Sequence, residues 1–218
     1  MAVLSLAVTL VLQEPPKVSA AGQAENPGEG TLSDVLHLRG VWAASAAMLT
    51  LGLTYGAIYS FLPLFARGRG VSNVGLFFTA SGLVTILSRF LLGRASDRVG
   101  RMPVILPMFM VLAVSAAGLN WTYGLVPLLL IAVLNGAGFG GTRVALDTLV
   151  VESAPVRIRG RALGVLYTCF DTGIGAGSVV IGITAAFTGY GHIYLLLGVI
   201  CALTAGFFAA VMRRPGVP

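Results

Sequence analysis

The chain has 218 residues, of which 56% are apolar and only 10% charged, with 29 glycines. Soluble domains typically carry roughly 25% charged residues, and 14 basic plus eight acidic side chains cannot cover a water-soluble fold of this size. Together with a mean hydropathy of +0.91, this composition excludes a soluble globular domain and points to a polytopic membrane protein.

The net charge of +6 would suggest nucleic acid in a soluble domain. Here all the basic residues but Lys17 are arginines, and most cluster in short segments between apolar runs, as loops facing anionic lipid do. No nucleic-acid partner follows from that pattern; the partner it implies is the lipid bilayer. Cys169 and Cys201 both lie inside apolar runs, which suits neither a disulfide, a zinc ligand nor a nucleophile. His37 and His192 fall at the edges of apolar runs, so no metal or cofactor constellation is expected. Without a nucleophile–base set the chain reads as non-enzymatic.

In chain order, Ala2 to Leu12 is apolar but too short to span a bilayer, which takes ~20 residues. Two readings compete for it. A signal peptide fits the short core and Val18-Ser19-Ala20, although a basic start is missing. The other is the tail of a span that begins before this chain. Gln13-Glu14-Pro15-Pro16 through Gly30 reads as a flexible linker, with Ser33 or Asp34 a candidate cap for the first helix. Six spanning helices are then predicted at about 41–66, 73–93, 103–120, 124–151, 162–187 and 192–212. Strand alternation is absent, so the expected fold is an all-α membrane protein. Its domains are a partial tail and linker over 1–38, a six-helix transmembrane domain over 39–214, and a tail at 215–218.

Arginine placement orients the helices. With the loop 94–101 inside, Lys17, Arg39, Arg94, Arg98, Arg101, the three arginines of 157–161, Arg213 and Arg214 all fall inside, against Arg67 and Arg69 outside. Ten against two predicts that both termini are cytoplasmic.

The most specific stretch is Gly93-Arg94-Ala95-Ser96-Asp97-Arg98-Val99-Gly100-Arg101. Physically it reads as a tight loop between spans two and three, with glycines permitting the turn. It resembles the G-x-x-x-D-R-x-G-R signature of the major facilitator superfamily, matched at Gly93, Asp97, Arg98, Gly100 and Arg101. Asn135-Gly136 through Asp147, with Arg159-Gly160-Arg161-Ala162, looks like helix ten and the loop after it. Phe170-Asp171-Thr172-Gly173-Ile174-Gly175-Ala176-Gly177, followed by Gly189-Tyr190, is similar to helix eleven of efflux-type members. Glu14-Pro15-Pro16 resembles the exit of helix six.

The resemblance implies the carboxyl-terminal six-helix half of a twelve-helix transporter, built as two inverted three-helix repeats in the plasma (inner) membrane. Its expected activity is proton-coupled efflux of a small organic solute by alternating access. Its expected partners are a missing amino-terminal half or a second copy, the small-molecule substrate, and protons. In the family, the carboxylate at Asp97 docks at a helix N-terminus of the opposite half. The alternative is a truncated or half-size protein that transports nothing alone.

Ionisable residues inside spans are costly unless they face a partner or a water-filled cavity. Asp171, near the midplane of span five, is the proton-coupling candidate; a structural hydrogen-bonded carboxyl is the competing reading. Arg143 and Asp147 are spaced i, i+4 on span four, and Arg89 lies one turn above the inner end of span two. They form either a local ion pair or a gate that reorganises between access states. Tyr55, Tyr59 and Asn135 are candidate cavity residues, or ordinary packed polar groups. Gly136/Gly140 and Gly173/Gly177 have the spacing of helix-packing faces rather than nucleotide loops.

The topology is testable by cysteine accessibility. Thiols introduced at Ser96 and at Gly70 should be labelled from opposite sides of the membrane; labelling of both from one side would overturn the arrangement.

Overall fold

A computed structural model describes residue 35 and residues 37–71, 73–188 and 190–213, apart from the side chains of 186–190. The apolar stretch 2–12, the linker, the candidate caps Ser33 and Asp34 and the tail 215–218 lie outside the described residues. Among the described residues lie six long helices: α1 (Arg39–Arg67), α2 (Gly75–Val99), α3 (Met102–Gly118), α4 (Leu125–Ser153), α5 (Arg159–Thr188) and α6 (Tyr190–Met212). Short 3₁₀ turns at Leu119–Trp121 and Val156–Ile158 continue α3 and lead into α5. Each helix is long and apolar enough to cross a membrane, and the described residues contain no strand.

One boundary differs from expectation in an informative way. The segment from Gly93 to Val99 is not a loop: α2 continues through it, and only Gly100, at φ 91°, breaks the helix. Gly93 lies within the helix beside α4, with Val144 Cγ1 3.7 Å from where a Cβ would project. The chain then turns within two residues, and Pro103 in the first turn of α3 sits where its missing N–H costs nothing.

In lipid, helices gain little from hydrophobic burial against one another, so close backbone approach and van der Waals contact carry the packing. The closest pairs are α1 with α5 and α2 with α4; α3 lies against α4 and α6, and α1 against α6. Exchanging α1 with α4, α2 with α5 and α3 with α6 turns this set of neighbours into itself. Three helices per unit means that the second unit starts from the opposite end, so the two triples are inverted repeats.

Glycine permits both tightest contacts. A Cβ on Gly173 would strike the Leu49 carbonyl of α1, and one on Gly177 would lie 2.7 Å from Leu53 O. The approach is mutual: Gly52 faces the Phe170 carbonyl, and Gly56 would place a Cβ 2.6 Å from Ile174 O. On α4, Gly136 and Gly140 meet the backbone of α2 around Ser81 and Thr85, while Gly138 meets Leu112 of α3. Thr85 Oγ1 donates to the Gly136 carbonyl at 3.2 Å. Thr50 and Thr54 link α1 to α6 through Thr204 at 3.1 Å and Cys201 at 3.2 Å.

The core divides into two apolar clusters along the membrane normal, one around Met48, Leu51, Phe109 and Phe208, the other around Ile58, Leu62, Phe77 and Leu128. At the end away from the α2–α3 turn, Arg69 closes the bundle. Its guanidinium lies between the rings of Phe65 and Tyr123, 4.3 and 4.4 Å from their centroids. It also donates to the carbonyls of Asn120 (2.5 Å) and Thr122 (3.1 Å). Arg69, one of two arginines counted against the orientation rule, is thus held by a specific cage.

The glycine contacts are separable by mutation. Gly177→Ala should destabilise the bundle by ~1–3 kcal/mol, the usual cost of overpacking. Gly175→Ala, where nothing lies within 4 Å, should be neutral or gain up to about 1 kcal/mol from helix propensity. Thermal unfolding in detergent reads both.

Candidate functional site

Four helices, α1, α2, α4 and α5, enclose an open cavity of about 460 Å³. Each contributes side chains spaced three or four apart, hence on one face of its helix. These are Tyr55 and Tyr59 from α1, Thr85 and Arg89 from α2, Phe139 and Arg143 from α4, and Phe170 and Ile174 from α5. Tyr55 and Tyr59 stack with ring centroids 3.9 Å apart, and Phe139 lies 5.0 Å from Tyr55. One wall is therefore aromatic.

Arg143 does not pair with Asp147, although they share a face. Its guanidinium sits over the Phe170 ring at 4.3 Å and near Tyr167 at 5.6 Å. Among the described residues both ion pairs within 4.0 Å belong to Arg101. Asp147 remains half-buried, within electrostatic reach of Arg143 and Arg89, and its Oδ1 is buried without a hydrogen-bond partner. Phe170 competes for the guanidinium because its ring face offers a cation–π contact without a carboxylate to desolvate.

Asn135 stands behind the cavity wall. It is buried, accepts from Ser81 Oγ at 3.1 Å and donates to Ser115 Oγ at 3.3 Å, joining α2, α4 and α3. Asp171 is exposed. Its neighbours Phe170 and Ile174 line the cavity, while Asp171 is turned ~100° from Phe170 around the helix. It occupies the flank of α5 shared with Tyr167 and Ser178.

At the end bearing the signature, Arg101 organises the residues singled out from the sequence. Nη1 donates to Asp97 Oδ1 at 2.6 Å and to Ser96 Oγ at 3.1 Å. Nε and Nη2 donate to the two carboxylate oxygens of Glu152 on α4, at 3.0 and 2.5 Å. Glu152 first, then Asp97, holds the guanidinium pKa above its ordinary value. Asp97 therefore has a partner within this chain, though two-thirds of its side chain is exposed, at 67%. Arg98 is exposed. The sequence reading missed Glu152 as the second carboxylate, and the rings of Phe139 and Phe170; the spacing of Phe139 and Arg143 was the available signal for the latter.

The family model described as Major Facilitator Superfamily matches residues 1–122 and, in a second alignment, 68–218. The chain belongs to this superfamily. Among curated relatives, it is 26% identical over 174 residues to an uncharacterized MFS-type transporter of Salmonella typhimurium, covering 80% of this chain and 45% of that protein. It is 29% identical over 159 residues to a multi-drug resistance efflux pump PmrA homolog of Lactococcus lactis, covering 70% and 39%. The MFS-type transporter YcaD of Escherichia coli matches at 33% over 120 residues, 54% of this chain and 31% of that protein. This chain thus spans less than half the length of these major facilitator relatives.

The Arg101 network invites a paired test. Asp97→Asn should cost less than about 1 kcal/mol, as exposed ion pairs do, and leave the Glu152 link in place. Arg101→Gln removes the tie between the α2–α3 turn and α4, and should raise amide hydrogen exchange over residues 97–103 well above the Asp97→Asn variant.

Proposed function

We propose that this chain is one six-helix half of an alternating-access transporter that moves a small organic solute across the plasma (inner) membrane, with both termini cytoplasmic. The observation that carries the reading is the open cavity between α1, α2, α4 and α5, which brings Arg89 and Arg143 together inside the membrane-spanning region. Ionisable groups at that depth mark substrate or ion pathways in membrane proteins. The printed name of the Lactococcus lactis relative supports efflux as the direction.

The cavity needs a second wall. Gly82 on α2 and Gly164 and Gly175 on α5 have open space where a Cβ would project, so another six-helix unit can approach these two helices closely. That unit is an amino-terminal half or a second copy of the chain. Rocking of the units against each other would expose the cavity to either side in turn, with the Asp97–Arg101–Glu152 cluster as the inner gate. Asp171 would carry the coupling proton: it is a carboxyl far from both ends of α5, beside the cavity, and without an ion-pair partner among the described residues.

Proteoliposomes holding at most one copy of this chain should show no solute flux; flux from them would sink the half-transporter reading. In the assembled transporter, Asp171→Asn should abolish flux driven by a pH gradient while insertion and folding are retained. Full proton-driven flux in that variant would move the coupling site elsewhere.

A further inference from the structure

We propose that the cavity between α1, α2, α4 and α5 recognises an organic monoanion with an aromatic body. The proposal deepens the transport reading and rests on it for the site's role, while the binding chemistry stands on the cavity alone.

The first argument is charge. Arg89 and Arg143 both line the cavity, and guanidinium stays protonated in proteins. Asp147 is the carboxylate within electrostatic reach of both, and it lies outside the lining. Asp171 sits on the adjoining flank of α5 and does not line the cavity. The lining itself therefore carries two cations and no carboxylate, an excess positive charge in a region where charge is costly. A bound anion would neutralise it; a bound cation would add to it.

The second argument is unused hydrogen-bonding capacity. Among the described residues neither the Arg89 nor the Arg143 side chain donates a hydrogen bond or joins an ion pair, in contrast to Arg69 and Arg101. Arg143 instead places its guanidinium carbon over the Phe170 ring, 4.3 Å from the centroid. A cation–π contact of that kind uses none of the guanidinium N–H groups, which stay available for a forked contact with a carboxylate or sulfonate.

The third is shape. The stacked pair of Tyr55 and Tyr59, with Phe139 beside it, forms an aromatic wall of the same cavity. Ring faces suit an offset-stacked aromatic body. A volume of about 460 Å³ lies within the usual range for small-molecule sites, about 300–1,000 Å³.

The test uses the full chain in lipid nanodiscs with radiolabelled naphthoate as probe, and naphthamide and naphthylmethylammonium as neutral and cationic competitors of the same ring. The expected result is saturable naphthoate binding, with both competitors at least tenfold weaker than unlabelled naphthoate. Arg143→Gln and Arg89→Gln should each weaken it tenfold or more, Arg143→Lys by less, and Arg161→Gln, outside the cavity, not at all. Equal or better competition by the ammonium or the amide would overturn the proposal. So would non-saturable uptake that both glutamine variants leave unchanged, the mark of partition into lipid. Should Arg143→Gln fail to fold, Arg89→Gln and the wild-type competitor series decide. Anion binding without flux in the assembled transporter would overturn the transport reading alone, and flux without anion selectivity would overturn this proposal alone.

Discussion

The fold depends on the close approach of α1 to α5 and of α2 to α4. In a bilayer the lipid is as apolar as the helix surface, so a helix pair must gain from contact quality rather than from burial. Gly52, Gly56, Gly173 and Gly177 let two backbones meet at distances that any Cβ would forbid. Gly136 and Gly140 do the same against α2. Once these two pairs are set, α1 and α4 become the inner helices, and α2 and α5 are left with one face unpartnered. The cavity is the space that this arrangement leaves open, and its lining follows from helical register. Tyr55 and Tyr59 sit on the α1 face next to the one that meets α5, and Phe139 and Arg143 lie beside the glycines of α4.

Arginine is used in three different physical circumstances. Arg69 is fully engaged, with two rings and two carbonyls around it, so it ties the far end of the bundle together. Arg101 is a bridge between two exposed carboxylates on different helices. Such a contact adds little stability in water but offers a link that can be exchanged when helices move. Arg143 lies over an aromatic ring while its N–H donors are unspent. The same side chain is therefore a structural clamp, a movable tie and a candidate ligand contact, according to how many of its donors are already used.

The inverted pairing of the triples connects these observations. Because neighbours map onto neighbours when the repeats are exchanged, the cavity lies where the repeats meet, between one central helix and one peripheral helix from each. Each end of the bundle carries an arginine-centred cluster: the Arg101 cluster at one and the Arg69 cage at the other. The first is partly exposed and built of charges, the second is enclosed by rings and carbonyls.

Much of this was legible from the sequence because it depends on local quantities. Span number follows from apolar run length against bilayer thickness, the packing role of Gly136/Gly140 and Gly173/Gly177 from i, i+4 spacing, and the superfamily from nine consecutive residues, Gly93 to Arg101. Polarity inside an apolar span also placed Tyr55, Tyr59, Arg89 and Arg143 among the candidates. Which partner each polar group takes was decided by tertiary structure. Arg143 and Asp147 have the spacing of an ion pair, yet Phe170, 27 positions further along the chain, takes the guanidinium. Asp97 resembles a carboxylate that docks on another half, yet it shares Arg101 with Glu152 of α4. Asn135 has the polarity of a cavity residue, yet it is spent between Ser81 and Ser115 behind the wall. Helical period sets the direction in which a side chain leaves its own helix. What it meets depends on the distance and rotation of the neighbouring helix, and those are set by contacts between residues far apart in the chain.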